Sequence, residues 1–325
     1  MNKILLSLLV AGSALGLGSQ AQAQSNSLDK PGSLLIFPYF NNSVGSQTYI
    51  TVTNTNSDFN QNGQLFAGTV DVEFVYIGGE DCLEYNRTRR LTPNDTVTVS
   101  SFIDNPNALR GYVYAFAKSP ASGAAISWNW LEGDSIILSP LRSIVTNVPP
   151  VVYTAIGANG TATDGDGDGL RDMNNVEYSA NAQELHIPRF VAHPGSGLIL
   201  IGLTGSRFTT IVNYLAYNDN EEAFSGQISF DCWDYRFLSD ISGIFSDSFL
   251  QGSTNDNDLE TGVANSETGW IRMVGATAFS TAQQRSNPAF LAVRIDITTF
   301  ASLPYGIGTN LNGDLLVIGP FHDTN

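Results

Sequence analysis

Alternation of apolar and polar residues with a period of two, cut at short intervals by turn formers, is what most limits how this chain can fold. Thr48-Tyr49-Ile50-Thr51-Val52-Thr53 sets Tyr49 out of phase with Ile50 and Val52 and stops at Asn54-Thr55-Asn56. Val70-Asp71-Val72-Glu73-Phe74-Val75-Tyr76 alternates apolar and acidic side chains before Gly78-Gly79, and residues 96–102 and 112–116 repeat the pattern. Successive side chains of an extended strand point to opposite faces, so this alternation marks half-buried antiparallel strands. Helical periodicity is weak, and its best stretch is the short piece at 176–185. The chain is expected to be all-β.

Its 325 residues, 42% hydrophobic and 10% aromatic, exceed the usual size of one core and supply apolar material for two. The second half echoes the first. Pro31-Gly32-Ser33 before Leu34-Leu35-Ile36 parallels Pro194-Gly195-Ser196 before Leu198-Ile199-Leu200. Residues 46–54 parallel 206–214, and 68–74 parallel 226–232. Gly111-Tyr112-Val113 matches Gly269-Trp270-Ile271, Ala124-x-Ile126-x-Trp128 matches Ala289-x-Leu291-x-Val293, and Tyr153 precedes Ile156-Gly157 much as Tyr305 precedes Ile307-Gly308. A period this long is not that of a solenoid, so the expectation is two tandem, internally duplicated antiparallel β-sandwich domains of immunoglobulin-like type. Their bounds are 24–150 and 186–325, with 151–185 as the connecting segment. A membrane β-barrel would need more even strands of about 9–11 residues and is not expected.

Residues 1–23 read as an export signal. Asn2 and Lys3 precede an apolar stretch broken by Gly12 and Ser13, and Ala21-Gln22-Ala23 is a small-x-small cleavage site that would leave Gln24 first. The stretch is too short to span a bilayer, so no transmembrane segment is expected in the mature chain. The expected location is extracellular, at the cell surface or in the periplasm. Loss of Lys3 takes the formal net charge from −16 to −17 and leaves Lys30 and Lys118 as the lysines. Such an acidic surface repels phosphate backbones, which excludes nucleic acid, and it attracts divalent cations. Cys82 and Cys232 admit a disulfide, two buried thiols or a bridge between chains, and export favours the disulfide. If the halves pack about a pseudo-two-fold axis, a Cys82–Cys232 bond would staple them.

One motif carries chemistry. Asp164-Gly165-Asp166-Gly167-Asp168-Gly169-Leu170-Arg171-Asp172 puts carboxylates at positions 1, 3, 5 and 9 of a calcium-type loop, with Gly169 at the sharp turn. Calcium takes six to eight oxygens, and alternate residues of a tight loop converge on one centre. The carbonyl of Leu170 falls at position 7 and Asn175 at position 12, where a bidentate acid is usual; Glu177 comes two residues late. The expected cofactor is therefore calcium (Ca2+), bound with an affinity on the order of 10⁻⁴–10⁻³ M. A flexible acidic linker is the competing reading.

The same run is similar to bacterial thrombospondin type 3 repeats, Asp-x-Asp-x-Asp-Gly-Leu-x-Asp, which implies calcium ligation by Asp164, Asp166, Asp168 and Asp172. Leu91-Thr92-Pro93-Asn94-Asp95-Thr96-Val97-Thr98-Val99 resembles the turn-and-strand of bacterial immunoglobulin-like modules over residues 46–116, which implies a structural or adhesive role. Gly32-Ser33-Leu34-Leu35-Ile36-Phe37-Pro38-Tyr39-Phe40 resembles the start of secreted proteins of environmental bacteria and implies export without naming an activity.

No nucleophile elbow, zincin helix or phosphate loop is present. His186, His193 and His322 read as surface or strand-end residues, and Arg87, Arg89 and Arg90 as a solvated basic patch. Trp128 with Trp130, and Trp233 with Tyr235, read as sandwich core or as sugar-stacking platforms. The expected function is a non-enzymatic exported structural or adhesive protein with a calcium-stiffened loop, engaging a cell-surface or matrix polymer. The alternatives are a carbohydrate-binding module, with Trp270 as a further platform, and a hydrolase built on a carboxylate pair such as Glu73 and Glu132.

Overall fold

The computed structural model describes residues 30–58, 60–61, 64–65, 68–139, 144–192, 194–204, 208–253, 267–298 and 306–309. The expected signal at 1–23, together with His193, Ser206, Tyr305 and His322, lies outside the described residues.

Alternation becomes strand over 48–53, 70–76, 96–100 and 112–116, whereas residues 101–102 turn into a short helix and the 176–185 stretch forms none. The first half runs β1 (Leu34–Asn41), β2 (Gln47–Asn54), a small hairpin β3 (Asn60–Gln61) and β4 (Gln64–Leu65), β5 (Val70–Gly78), β6 (Glu84–Leu91) and β7 (Thr96–Ser100). A helical turn α1 (Ser101–Asp104) then leads to β8 (Arg110–Lys118), β9 (Leu131–Ser139), β10 (Ile144–Asn147) and β11 (Val151–Tyr153). The second half runs β12 (Glu184–Val191), β13 (Ser196–Gly202), β14 (Thr209–Asn218), β15 (Ala223–Phe230) and β16 (Trp233–Phe237). Short helices α2 (Leu238–Ile241) and α3 (Asp247–Ser253) precede β17 (Thr268–Phe279), β18 (Gln284–Ser286), β19 (Phe290–Thr298) and β20 (Gly306–Thr309). In β2 the residues Thr48, Ile50, Val52 and Asn54 are buried while their neighbours are half-exposed, as a period of two requires.

Three larger sheets result, in the orders β11-β1-β8-β5-β6, β16-β13-β19-β20-β10-β9-β2-β7, and β12-β17-β14-β15 with β18 on β17. All are open paths rather than closed barrels. The second half threads its strands as the first does: β12-β17-β14-β15 repeats β1-β8-β5-β6, and β16-β13-β19-β20 repeats β7-β2-β9-β10. Even the irregularities coincide. The β1–β8 register breaks between Phe37 and Phe40 around Pro38, and the β12–β17 register breaks between Ile187 and Phe190 around Pro188. Proline cannot donate to a ladder, so each break falls where its ring interrupts pairing.

This order corrects most of the segment pairings drawn from sequence. Residues 31–36 correspond to β12 rather than β13, and β2 corresponds to β13 rather than to the start of β14. Likewise β5 corresponds to β14 rather than β15, whereas the Gly111/Gly269 match stands, each glycine facing a phenylalanine (Phe40 or Phe190) across the ladder.

The halves are not separate bodies on a tether. Parallel pairing of β10 with β20 carries the long sheet from one half into the other. The segment 151–185, expected as a connector, gives β11 to the edge of the first sheet and buries Tyr153 and Tyr178. One core, with Leu35, Phe37, Ile50, Phe74, Val113 and Trp128, lies between the first sheet and the β9-β2-β7 arm. The other face of the first sheet (Leu34, Ile36, Val75, Ile77) joins a continuous core with Leu198, Leu200, Val212, Ile271 and Met273 of the second half. Strands β1 and β13 are consequently buried on both faces.

A disulfide joins Cys82 to Cys232, with their Cα atoms 6.0 Å apart. The bond links the β5–β6 turn to the β15–β16 turn, so it does not relate topologically equivalent loops. Around it Trp233 stacks on Tyr39 with ring centroids 5.9 Å apart and donates from its indole N–H to the Pro38 carbonyl at 3.0 Å. Gly79 is required there by close approach, since a Cβ would lie 2.2 Å from the Trp233 ring. Among the described residues, no helix is long and apolar enough to cross a membrane.

Candidate functional site

The Asp/Gly run leaves the first sheet after β11 and folds on itself through local bonds. Asp164 accepts from the backbone N–H of Gly167 at 2.8 Å through one carboxylate oxygen and from Gly169 at 3.2 Å through the other. Asp166 accepts from Asp168 N–H, and Asp168 from Leu170 N–H at 2.8 Å, the turn chemistry for which short acidic side chains are suited. Gly167 and Gly169 sit at φ of 78° and 81°, with nothing within 4 Å of a built Cβ; conformation, not space, demands glycine.

The result brings Asp164, Asp166 and Asp168 together, one oxygen from each lying within 4.8 Å of the others. Asp172 lies close enough for the Asp168 and Asp166 charges to act on it: burial first, then these charges, hold its carboxyl above the ordinary range against Arg285 and Arg171. Leu170 donates its N–H to Asp168 and is partly exposed. Asn175, expected at the last ligand position, is engaged elsewhere. Its side-chain oxygen accepts from Ala180 N–H at 2.8 Å, and its φ of 65° places it at a turn.

Glu177 has the role that sequence spacing obscured. It is buried, and its two oxygens accept from Gly165 N–H at 2.7 Å and Asp172 N–H at 3.1 Å, pinning both ends of the loop. A buried acid two residues beyond the calcium-loop frame was the available signal, and it reads as an anchor instead of a bidentate ligand.

The converging groups are hard oxygen donors, and a carboxylate oxygen that accepts one N–H keeps a second lone pair. The set could therefore hold a hard divalent cation, with Asp164, Asp166 and Asp168 as the groups to bind it.

The loop also walls a cleft. Arg171 bonds to the Gly169 carbonyl at 3.0 Å, and its guanidinium lies 4.9 Å from the centre of the Phe116 ring. Phe116 is the last of three same-face aromatics on β8, after Tyr112 and Tyr114, with centroids 6.4 and 6.1 Å apart. These rings, the Leu34, Ile36, Val75 and Ile77 face of β1 and β5, the disulfide, Gly202–Thr204 and the Asp/Gly loop line about 770 Å³ between the halves. Burial and the Glu84 charge hold the Tyr112 and Tyr114 hydroxyls above the ordinary tyrosine range, so both stay protonated.

The other candidates are dispersed. Trp128 is buried and bonds to Asn54, Trp233 is buried at the disulfide, and Trp270 lies between Tyr217 at 4.1 Å and His186 at 5.9 Å. Of the four tryptophans Trp130, 42% exposed, is the most open, and Trp270 is half-buried. Glu73 pairs with Lys118 in the first sheet, whereas Glu132 is exposed on β9 of another sheet. His186 bonds to Glu184. The arginine patch is partnered: Arg89 meets Asp104, Arg90 meets Asp71, and Arg87 lies over Tyr85. No family model and no curated protein matches this chain.

Proposed function

We propose that this chain is an exported, non-enzymatic structural or adhesive protein in which calcium on Asp164, Asp166 and Asp168 stiffens the junction between the two halves. The observation that carries this reading is the convergence of the three carboxylates in a loop closed by a buried glutamate. Without a cation those carboxylates repel one another and Asp172; a divalent ion offsets that repulsion and holds the turn. Because Arg171 of the loop rests on Phe116, stiffening the loop also holds one wall of the junction. An Asp/Gly loop fixed in this way adds a local brace to halves that a shared sheet, a continuous core and a disulfide already join. The expected partner remains a cell-surface or matrix polymer.

Calorimetric titration with calcium tests the proposal. The wild-type chain should give saturable heat in the weak extracellular range, and Asp166→Ala/Asp168→Ala should abolish it. Equal heats from both proteins would defeat the reading.

A further inference from the structure

We infer that the cleft between the first sheet and the second half binds an uncharged, hydroxyl-rich saccharide. This does not rest on calcium binding, since the walls of the cleft are set by sheets and a disulfide.

Three properties of the cleft point to that class. Its volume, about 770 Å³, falls within the range of small-ligand sites. On its floor Tyr114 is half-buried and presents its ring to the cleft, flanked along the strand by the largely buried Tyr112 and Phe116 at interplanar angles of 30° and 22°. A sugar ring has C–H faces that pack on aromatic faces, while its hydroxyls remain at the edge to reach polar groups. The rim supplies those groups in both senses: Glu73 beside Lys118, Glu84 bonded to Asn86 at 2.8 Å, and Arg171. Carboxylates accept from hydroxyls and cations donate to them, so one polyol satisfies both kinds.

Charge narrows the choice further. Lys118, Arg171 and Arg285 stand among the lining residues against Glu73, Glu84, Asp164 and Asp172. With four carboxylates to three cations, a polyanion gains nothing, and a neutral ligand pays no repulsion. Arg171 adds a specific need. Its Nη1 is buried without a hydrogen-bond partner while the same guanidinium lies over Phe116, so a shift of this side chain toward a ligand oxygen would give the donor a bond it lacks at rest. Cys82 and Cys232 both line the cleft, so its opposite walls are tied together by a covalent bond.

The test presents the mature chain, without added calcium, to an array of uncharged oligosaccharides including cellotriose, xylotriose and maltotriose. Trigalacturonate serves as the charged comparator, and hits are measured by calorimetry. At least one uncharged sugar should bind. Tyr114→Leu and Arg171→Gln should each weaken it by about tenfold. Trp130→Ala, which changes an exposed ring outside the cleft, should bind as wild type does. Circular dichroism confirms that each variant is folded, and Arg171→Gln, at the rim, decides the matter if Tyr114→Leu does not fold. The inference is overturned if no uncharged sugar binds, if only trigalacturonate binds, or if binding follows Trp130 and ignores the cleft variants. A failed calcium titration alongside sugar binding would remove the proposed function and leave this inference standing.

Discussion

Glu177 is the place to break the Asp/Gly loop. It is 3% exposed and accepts two backbone N–H bonds, from Gly165 and Asp172, so water cannot readily replace what a substitution removes. A hydrogen bond to a charged group contributes about 1.5–3 kcal/mol net. Glu177→Gln keeps one acceptor and turns an amide N–H₂ toward the other donor, a loss of about 1.5–3 kcal/mol. Glu177→Ala removes both acceptors, a loss of about 3–6 kcal/mol. Between Gly165 and Leu170 the other closures are the exposed turns of Asp164, Asp166 and Asp168 and the Arg171 bond to Gly169, so the cost falls first on local opening. Hydrogen exchange at the Gly165 and Asp172 amides reads it directly. At 1.4 kcal/mol per decade, the glutamine variant should exchange there roughly ten to a hundred times faster than wild type. Calcium titration of the same variant should show a weaker apparent affinity, because binding must then also close the loop. Wild-type exchange rates at both amides in Glu177→Ala would refute the assignment of Glu177 as the anchor.

Four further outcomes are expected. Cys82→Ser/Cys232→Ser removes a cross-link across a sequence separation of 150, which in the chain-entropy treatment costs about 5 kcal/mol; urea denaturation with and without reductant checks it. Gly269→Ala places a Cβ 2.2 Å from the Tyr217 carbonyl oxygen and 2.7 Å from the Phe190 ring, in the middle strand of its sheet, and should cost about 1–3 kcal/mol by the same measurement. The hydrogen bond from Arg272 holds the Glu184 carboxyl below its ordinary 4.5 against burial, with help from His186. A depressed folded value means that its stabilisation is present above the ordinary 4.5 and is lost as pH falls through the lower folded value, so the stability gap between wild type and Glu184→Gln should shrink as pH falls below 4.5. Acrylamide should quench chiefly Trp130 and the half-buried Trp270, so Trp130→Phe/Trp270→Phe should remove most of the accessible tryptophan emission; strong residual quenching would contradict the burial of Trp128 and Trp233.

Much of this molecule was legible in its residues. Alternation located β2, β5, β7 and β8 because the side of a strand that each residue takes depends only on its place in the chain. The Asp/Gly turns were legible for a similar reason: the bonds made by Asp164, Asp166 and Asp168 span at most five residues, from Asp164 to Gly169. Gly111 and Gly269 matched because both lie against a neighbouring strand's carbonyl, which admits no other side chain.

What only the tertiary structure decided is which dry face meets which. Strands β1 and β13 resembled one another in sequence, each with Gly and Ser ahead of an apolar run, because both are buried on two sides; yet β1 corresponds in topology to β12. Composition reports burial, whereas pairing is settled by contacts between residues far apart in the chain. The β10–β20 pairing, the Cys82–Cys232 bond between non-equivalent turns, and the anchoring of a loop by Glu177 all depend on such contacts. So does the aromatic cleft, whose floor comes from β8 and whose walls come from a turn and a loop on either side of the junction.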